Sequence, residues 1–322
     1  MITAIEASLL LAGVGAAAVA VHDFFEGETL VHDCADEWWL SRRSLQELDW
    51  AWRRNPRRSN AIVSLTSIPS RLGLIERTLK SLLRQTIAPA GIVLNLPRFS
   101  RRENASYVPP AFLDGLTAVT IRWCEDLGPA TKLLPSLLHE AREQQIIVVD
   151  DDRIYPSTLV EDLTRASARE PGIAPCMSGW VVPIDLTDRP TTVWSNLRML
   201  PPAPVRARRL SAPFRVDIVQ GLSGYLVKPG FFDLAAVSDY SAAPPEAFFV
   251  DDVWISAHCQ APRFVIPARR YNYQPKLHRR FYRDTSLGRI NRGPGPDSQR
   301  NNSVVIRHFK DRWIMAERVE LA

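Results

Sequence analysis

From residue 61 onward the chain runs in alternating apolar and polar blocks. A short apolar stretch at 61–65 reads as a strand and leads into a Thr-, Ser- and Pro-containing loop at 66–71. Leu72, Ile75, Leu79, Leu82 and Leu83 then recur at helical spacing, which predicts an amphipathic helix. Pro89, Ala90 and Gly91 break the chain before a second strand at 91–95. Pro109, Pro110 and Gly115 bracket a short helix, 118–123 reads as a third strand, and 131–142 as a helix with Leu133, Leu134, Leu137 and Leu138 turned inward. Residues 146–149 form a wholly apolar fourth strand, as the buried centre of a parallel sheet requires. Such strand–helix alternation predicts an α/β sheet with crossover helices. Past Pro156 the alternation fades. A helix at 157–168, capped by Ser157, is followed by irregular strands at 180–183 and 216–219 and by an apolar run at 248–250. From Tyr271 apolar residues are sparse until 304–309, and no internal repeat or low-complexity tract interrupts the chain.

The first segment has a different pattern. Residues 2–21 are apolar except for Glu6 and two others of weaker polarity, and the uninterrupted run 7–21 is 15 residues long. That is short of the roughly 20 needed to span a bilayer, and no Lys or Arg precedes it to mark a signal peptide. Trp38, Trp39, Trp50 and Trp52 follow, mixed with Arg42, Arg43, Arg53, Arg54, Arg57 and Arg58, a combination that suits a membrane interface. If the first helix spans, this basic flank keeps the rest of the chain in the cytoplasm, at the inner face of the membrane. The alternative is a helical cap that packs its tryptophans on the core. Residues 53–58 read as a linker, so 1–59 is a separate N-terminal segment and 60–322 the main domain.

Composition narrows the class. The 322 residues are 46% hydrophobic and 23% charged, which is globular and excludes a disordered, collagenous or polytopic chain. The net charge of +5 matters only through its location: residues 263–312 hold 13 Lys or Arg against Asp284, Asp297 and Asp311, leaving the remainder at −5. A basic tail implies an anionic partner or a solvated basic face. Cys34, Cys124, Cys176 and Cys259 stand 52 to 90 residues apart without a Cys or His pairing, so zinc is not expected and reduced thiols are.

Asp150-Asp151-Asp152 directly follows the apolar fourth strand. Parallel sheets bind ligands at the carboxyl ends of their strands. Three adjacent carboxylates repel one another unless a cation or ligand compensates them. Hard oxygen donors suit Mg2+ or Mn2+. In an extended chain Asp150 and Asp152 would share a face.

Val63-Ser64-Leu65-Thr66-Ser67-Ile68-Pro69-Ser70-Arg71 and Thr78-Leu79-Lys80-Ser81-Leu82-Leu83-Arg84-Gln85-Thr86 resemble the opening of bacterial glycosyltransferases of the GT-A fold. Gly128-Pro129-Ala130-Thr131-Lys132-Leu133-Leu134-Pro135 and Val148-Val149-Asp150-Asp151-Asp152 continue the resemblance, which covers roughly 60–275 and is nearest to surface-polysaccharide and lipopolysaccharide sugar transferases. It implies a Rossmann-like, mainly parallel sheet flanked by helices. A nucleotide-sugar-binding half would occupy 60–155, a less regular acceptor half 156–275 and a basic tail 276–322. It implies a nucleotide-sugar donor, a UDP-sugar foremost, and a glycan or glycolipid acceptor. Thr66, Ser67, Pro69 and Arg71 would hold base and ribose, and Lys132 the diphosphate. Asp152 would be the metal ligand and Asp150 the nucleotide-side contact and second ligand, with Asp151 undecided.

Asp251-Asp252 lies 100 residues further on and resembles the acidic motif that supplies the base in inverting members. A carboxylate within hydrogen-bond reach can take the acceptor's proton, and the neighbouring charge raises at least one pKa. Asp252 is favoured over Asp251, although either also suits a helix N-terminus. Gly221, Ser223 and Gly224, in a glycine-containing turn, would lie under the donor sugar. His278 would complete the metal shell, with His308 its rival, while Arg279, Arg280 and Arg283 would fold over the leaving diphosphate.

Two other classes compete. A nucleotidyltransferase would carry a glycine-rich loop after the first strand, but no glycine occurs there until Gly73. A noncatalytic carbohydrate- or membrane-binding protein would not need both acid clusters. Nucleic acid is not expected, since no aromatic–basic recognition motif accompanies the tail.

Overall fold

The computed structural model describes residues 4–314. Ile2 of the apolar segment and 315–322 of the basic tail lie outside the described residues. Helix α1 (Ala4–Glu26) is apolar around its circumference, and Leu9, Leu10, Leu11 and Val14 are all exposed. The helix outlasts the 7–21 run. Glu6–Glu26, with mean hydropathy 1.7, is long and apolar enough to cross a membrane.

Helices α2 (Leu30–Ser41) and α3 (Leu45–Arg54) behave differently and pack Leu40, Leu45, Leu48 and Trp52 into the core. A capping box starts α3: the Ser44 hydroxyl accepts from the Glu47 N–H, and the Glu47 carboxylate accepts from the Ser44 N–H. Trp52 Nε1 donates to Pro89 O. The stretch 53–58 is not a free linker. Asn55 donates to Gln85 O, Arg57 pairs with Glu161 at 2.8 Å, and the chain at Arg57 and Ser59 exchanges backbone bonds with Ala88.

Strands β1 (Ile62–Leu65) and β2 (Gly91–Pro97) are parallel neighbours, joined by α4 (Pro69–Leu72) and α5 (Glu76–Leu83). The helix expected at 72–83 is thus two helices, with Gly73 closing the first. A hairpin, β3 (Phe99–Ser100) and β4 (Ala105–Ser106), precedes β5 (Val119–Cys124), which lies parallel to β2. A 3-10 turn at Gly128–Lys132 leads to α6 (Leu134–His139), shorter than expected because the turn uses its first residues. Strand β6 (Ile146–Val148) returns parallel to β1, with Ser64 opposite Val148.

Helix α7 (Leu159–Arg169) takes Thr158 rather than Ser157 as its N-cap. The remaining elements are β7 (Ala174–Cys176), β8 (Ser178–Trp180), α8 (Val193–Arg198), β9 (Val205–Arg206), β10 (Phe214–Val216), β11 (Ile218–Val219), β12 (Tyr225–Val227) and α9 (Leu234–Ser238), followed by α10 (Asp251–His258), β13 (Arg263–Val265), α11 (Arg279–Asp284), α12 (Leu287–Arg292) and α13 (Asn301–His308). One eight-stranded sheet, ordered β10-β13-β7-β12-β6-β1-β2-β5, crosses both halves of the main domain. Its first half is wholly parallel. Strand β12 is antiparallel to both β6 and β7, which makes the sheet mixed. A small antiparallel sheet, β11-β8-β9, branches off beside it.

Candidate active site

Strands β1 and β2 and helix α6 place a buried polar cluster beneath the carboxyl edge of the sheet. Ser64 donates to Lys132 O at 2.6 Å and accepts from Asn95 Nδ2 at 3.0 Å, while Ser64 and Ser136 hydroxyls meet at 2.8 Å. Unpaired polar groups in such a core would be costly. Their pairing fixes the Gly128–Lys132 turn over the end of β1. Gly128 has φ +62° with Phe248 O against its α-carbon, so the turn admits no side chain there.

From that turn Lys132 Nζ reaches three carboxylates: Asp150 at 2.7 Å, Asp251 at 2.8 Å and Asp252 at 3.5 Å. Burial opposes its charge, but the three acids outweigh burial and hold its pKa well above the usual lysine value. The two acid clusters, 100 residues apart in sequence, therefore meet across one ammonium. Asp251 and Asp252 begin α10, where the helix dipole favours negative charge. Asp251 is buried, whereas Asp252 is half-buried in the cleft wall and accepts from Gly221 N–H at 3.1 Å. Burial drives Asp252 up to about 7 against the pull of Lys132, and Asp251 and Asp150 add to the rise.

The acid run after β6 occupies a turn, so the alternation expected of an extended chain does not apply. Asp150 N–H donates to the buried Tyr155 hydroxyl at 2.8 Å, which donates in turn to Leu222 O. Asp151 points inward, accepting from Ser67 Oγ at 2.5 Å and Arg71 Nη1 at 3.2 Å. Burial pushes Asp151 up to about 6, partly offset by Arg71. Asp152 keeps only longer contacts, with Gln274 at 3.4 Å, Arg153 at 3.5 Å and Arg71 at 3.6 Å.

All three acids, with Thr66, Ser67, Arg71, Lys132, Asp251 and Asp252, line a cleft of about 430 Å3. That volume suits a small-molecule site. Other expected residues stand elsewhere. Pro69 opens α4 and is not in the lining. Ser223 is buried, bonded to Ser178 at 2.7 Å and Tyr271 at 2.5 Å. Gly224 has φ +92° and backs onto Leu159 and Val149 in the core. Gly221 is required by the protein's own lysine: a Cβ there would sit 2.1 Å from Lys132 Nζ.

His278 faces Tyr282 and His308 faces Phe309, and neither lines the cleft. Arg280 and Arg283 are exposed, and Arg279 is outside the lining too. The tail does fold over the site, but through Ser286–Arg292, whose position no local motif announced. Arg71 and Arg102 anchor its base: Arg71 donates to Tyr282 O at 3.2 Å and to Thr285 O and Oγ1 at 2.9 Å, and Arg102 donates to Thr285 O at 2.5 Å, while Asn291 Nδ2 donates to Phe249 O at 3.1 Å. Arg102, Tyr107, Arg153, Phe248 and Phe249 also line the cleft, of which only the apolar run at 248–250, just before the acid pair, carried a signal; from the glycine-containing turn it is Gln220 and Leu222 that reach the cleft.

No protein-family model and no curated protein matches the sequence. Solved structures with a similar chain path include a mannosyltransferase from Pyrobaculum calidifontis in complex with GDP-Man and Mn2+, at 18% identity and TM-score 0.43, covering 92% of this chain and 80% of that one. GalNAc-T7 with UDP, GalNAc and Mn2+ is similar at 14% identity and TM-score 0.41, over 67% of this chain and 43% of that one. 4-Diphosphocytidyl-2C-methyl-D-erythritol synthase is similar at 14% identity and TM-score 0.41, over 70% of this chain and 97% of that one. At these scores the likenesses carry no functional weight, and function rests on the cleft's own residues.

The cleft presents carboxylates on two walls and cations between them. Among the described residues no three His, Cys, Asp or Glu side chains converge as a closed metal cage. Asp150 and Asp152 nonetheless offer hard oxygen donors at the cleft surface. A divalent cation held by one or two carboxylates with substrate phosphates as its other ligands needs no more. The donor set fits that mode and does not fit a resident structural metal.

Proposed function

We propose that the chain is a metal-dependent glycosyltransferase that moves a sugar from a nucleotide-sugar donor, a UDP-sugar foremost, to a hydroxyl of a glycan or glycolipid, with inversion. The observation that carries this reading is the meeting of Asp150, first of the strand-end acids, with Asp251 and Asp252 across Lys132 in the cleft that all five acids line. The 60–155 half supplies the donor side and 156–275 the acceptor side.

The donor's base and ribose lie along Thr66 and Ser67, with the diphosphate towards Asp150 and Asp152. A divalent cation there, Mn2+ or Mg2+, supplies charge neutralisation for the departing nucleoside diphosphate. Asp252, the more accessible acid of its pair, accepts the proton of the acceptor hydroxyl as that oxygen bonds to the anomeric carbon. The bond from that carbon to the diphosphate breaks on the opposite face, which inverts the centre. Lys132 holds Asp252 and Asp150 at a fixed separation, and Arg102, Arg153 and Arg292 add positive potential around the leaving group.

Nucleotidyl transfer could use the same acids. The acid pair on α10 favours sugar transfer, because it puts a base opposite the donor acids, and the loop after β1 has no glycine to cradle a triphosphate. The test is calorimetric titration of UDP-sugars and GDP-sugars with Mn2+ and with EDTA, on the wild type and Asp152→Asn. Metal-dependent binding that the substitution weakens at least tenfold is expected. Binding indifferent to both would overturn the assignment.

A further inference from the structure

A second apolar element stands beside the root of α1. Helix α8 turns its side chains outward: Val193 is 71% exposed, Trp194 66% and Leu197 43%, and Leu200 follows them. The segment after β9 ties the two helices together. Arg209 donates to Asn196 O and Leu197 O of α8, and its guanidinium lies 4.3 Å from the ring centre of Phe24 on α1. Arg208 donates to Asp23 O at 3.2 Å and to Glu28 O. Arg206 bonds Asn196 and packs against Gly27.

The surroundings are basic and aromatic. Arg198 lies over Trp194 at 5.3 Å, and Arg42 over Trp38 at 5.2 Å on the exposed side of α2. Glu26 is exposed at the end of α1. The other acids near it have partners: Glu28 pairs with Lys276, Glu37 with Arg77 and Asp36 with Arg84, Asp23 accepts from Leu30 N–H and Asp33 from Thr29, and Asp185 pairs with Arg189 and Asp188 with Arg300. Tryptophan with arginine beside an unburied apolar helix matches the chemistry of an anionic bilayer's interface. At about 1.5 Å per residue the 23 residues of α1 cover the roughly 30 Å of a hydrocarbon core.

We propose that α8 is a second membrane contact, a wedge that enters the headgroup layer of an anionic bilayer next to α1 and fixes the orientation of the catalytic body. One helix alone anchors without orienting, whereas two contacts joined by Arg206, Arg208 and Arg209 define a face. The inner side of the same lip, at Thr191, Pro202 and Pro204, lines a second groove with Arg189 and Arg300, and this groove joins the main cleft at Gln220 and Arg292. Docking places the mouth of that groove at the membrane surface.

The test uses the full chain on vesicles of phosphatidylcholine with and without phosphatidylglycerol. Exposed Cys34 is replaced by serine, and an environment-sensitive fluorophore is placed at Trp194→Cys, Thr191→Cys or Glu143→Cys. Glu143 stands before β6, at the end of the sheet away from the acids. Expected are a several-fold emission rise at 194 with anionic vesicles, quenching there by spin-labelled lipid, a shallower depth at 191, and no change at 143. A 194 probe that stays in water while the chain is vesicle-bound would mean α1 anchors alone, and 191 deeper than 194 would mean the lip faces the other way; either overturns the proposal. Nucleotide-sugar binding is measured on the same preparation, so a failure of the proposed function shows separately from a failure of docking.

Discussion

The two halves of the main domain place their acids by different physics. In the first, Asp150–Asp152 follow a buried strand, so the sheet itself delivers them to its carboxyl edge. In the second, Asp251 and Asp252 arrive on the first turn of α10, held by burial of Val253, Trp254 and Ile255. Strand ends are set by local pattern, whereas a helix N-terminus is set by whatever its apolar face meets. Both acid groups are visible as acids in the sequence, but only the first sits where the strand pattern itself marks a ligand edge; the second comes to face it only once α10 is packed. Lys132 belongs to the first half but is neutralised mainly by both together.

The sharpest way to break this division is Asp252→Asn. If the second half supplies only the base, turnover falls by about a hundred- to ten-thousand-fold. Nucleotide-sugar affinity with Mn2+ stays within about twofold, because no donor contact is removed. Turnover that survives would return the base to Asp251 or end the assignment. The pH profile gives an independent reading. With burial holding Asp252 near 7, the ionised form that can accept a proton is lost as pH falls, so kcat/KM declines below about 7 and levels off above it. A rate that climbs towards acid would mean the group works protonated.

Lys132→Met tests whether the halves depend on each other. It leaves Asp150, Asp251 and Asp252 facing one another without compensation, at a cost of about 3–5 kcal/mol in urea unfolding, the usual loss when one member of a buried charge set is removed. Asp251→Asn in that background should restore part of it. No recovery would show that Lys132 matters through packing rather than charge. Gly221→Ala is a milder version: its methyl must push Nζ away from Asp150, for about 1–3 kcal/mol of strain and a matching drop in turnover.

Much of this was legible in advance. Strands β1, β2, β5 and β6 fell within a residue or two of their expected positions: β1, β2 and β6 because a parallel strand buried on both faces has few polar alternatives, and the edge strand β5, half-exposed, because its apolar residues alternate with polar ones. The acids and Lys132 were legible because charge next to apolar runs has few structural explanations. What the residues do to one another was not. Arg71 reads as a ligand contact, yet it also clamps the tail at Tyr282 and Thr285, more than 200 positions away in sequence. The tail was singled out for charge, but Arg280 and Arg283 face solvent, while α12, whose own pattern carried no signal, lines the cleft. Glycines were the most misleading. Gly221 and Gly224 suggest room for a ligand, but one makes room for a lysine and the other for Leu159.

Ser223 separates the two meanings of that glycine-containing turn most cleanly, with the smallest effect. Its hydroxyl sits between Ser178 Oγ and Tyr271 OH, fully buried and outside the cleft lining. Removing it leaves the Tyr271 hydroxyl to find another partner, while Ser178 Oγ keeps its bond to Gln220 Oε1 at 2.9 Å, and costs about 1–3 kcal/mol of stability, the range for an unsatisfied buried group. Nucleotide-sugar affinity should not move, because no cleft atom is lost. Had the turn been a donor-sugar cradle, as its sequence suggests, the same substitution would weaken donor binding and leave the unfolding midpoint alone. Measuring both on Ser223→Ala therefore decides whether this turn touches the substrate or only supports Gln220 and Leu222, its two neighbours that do reach the cleft.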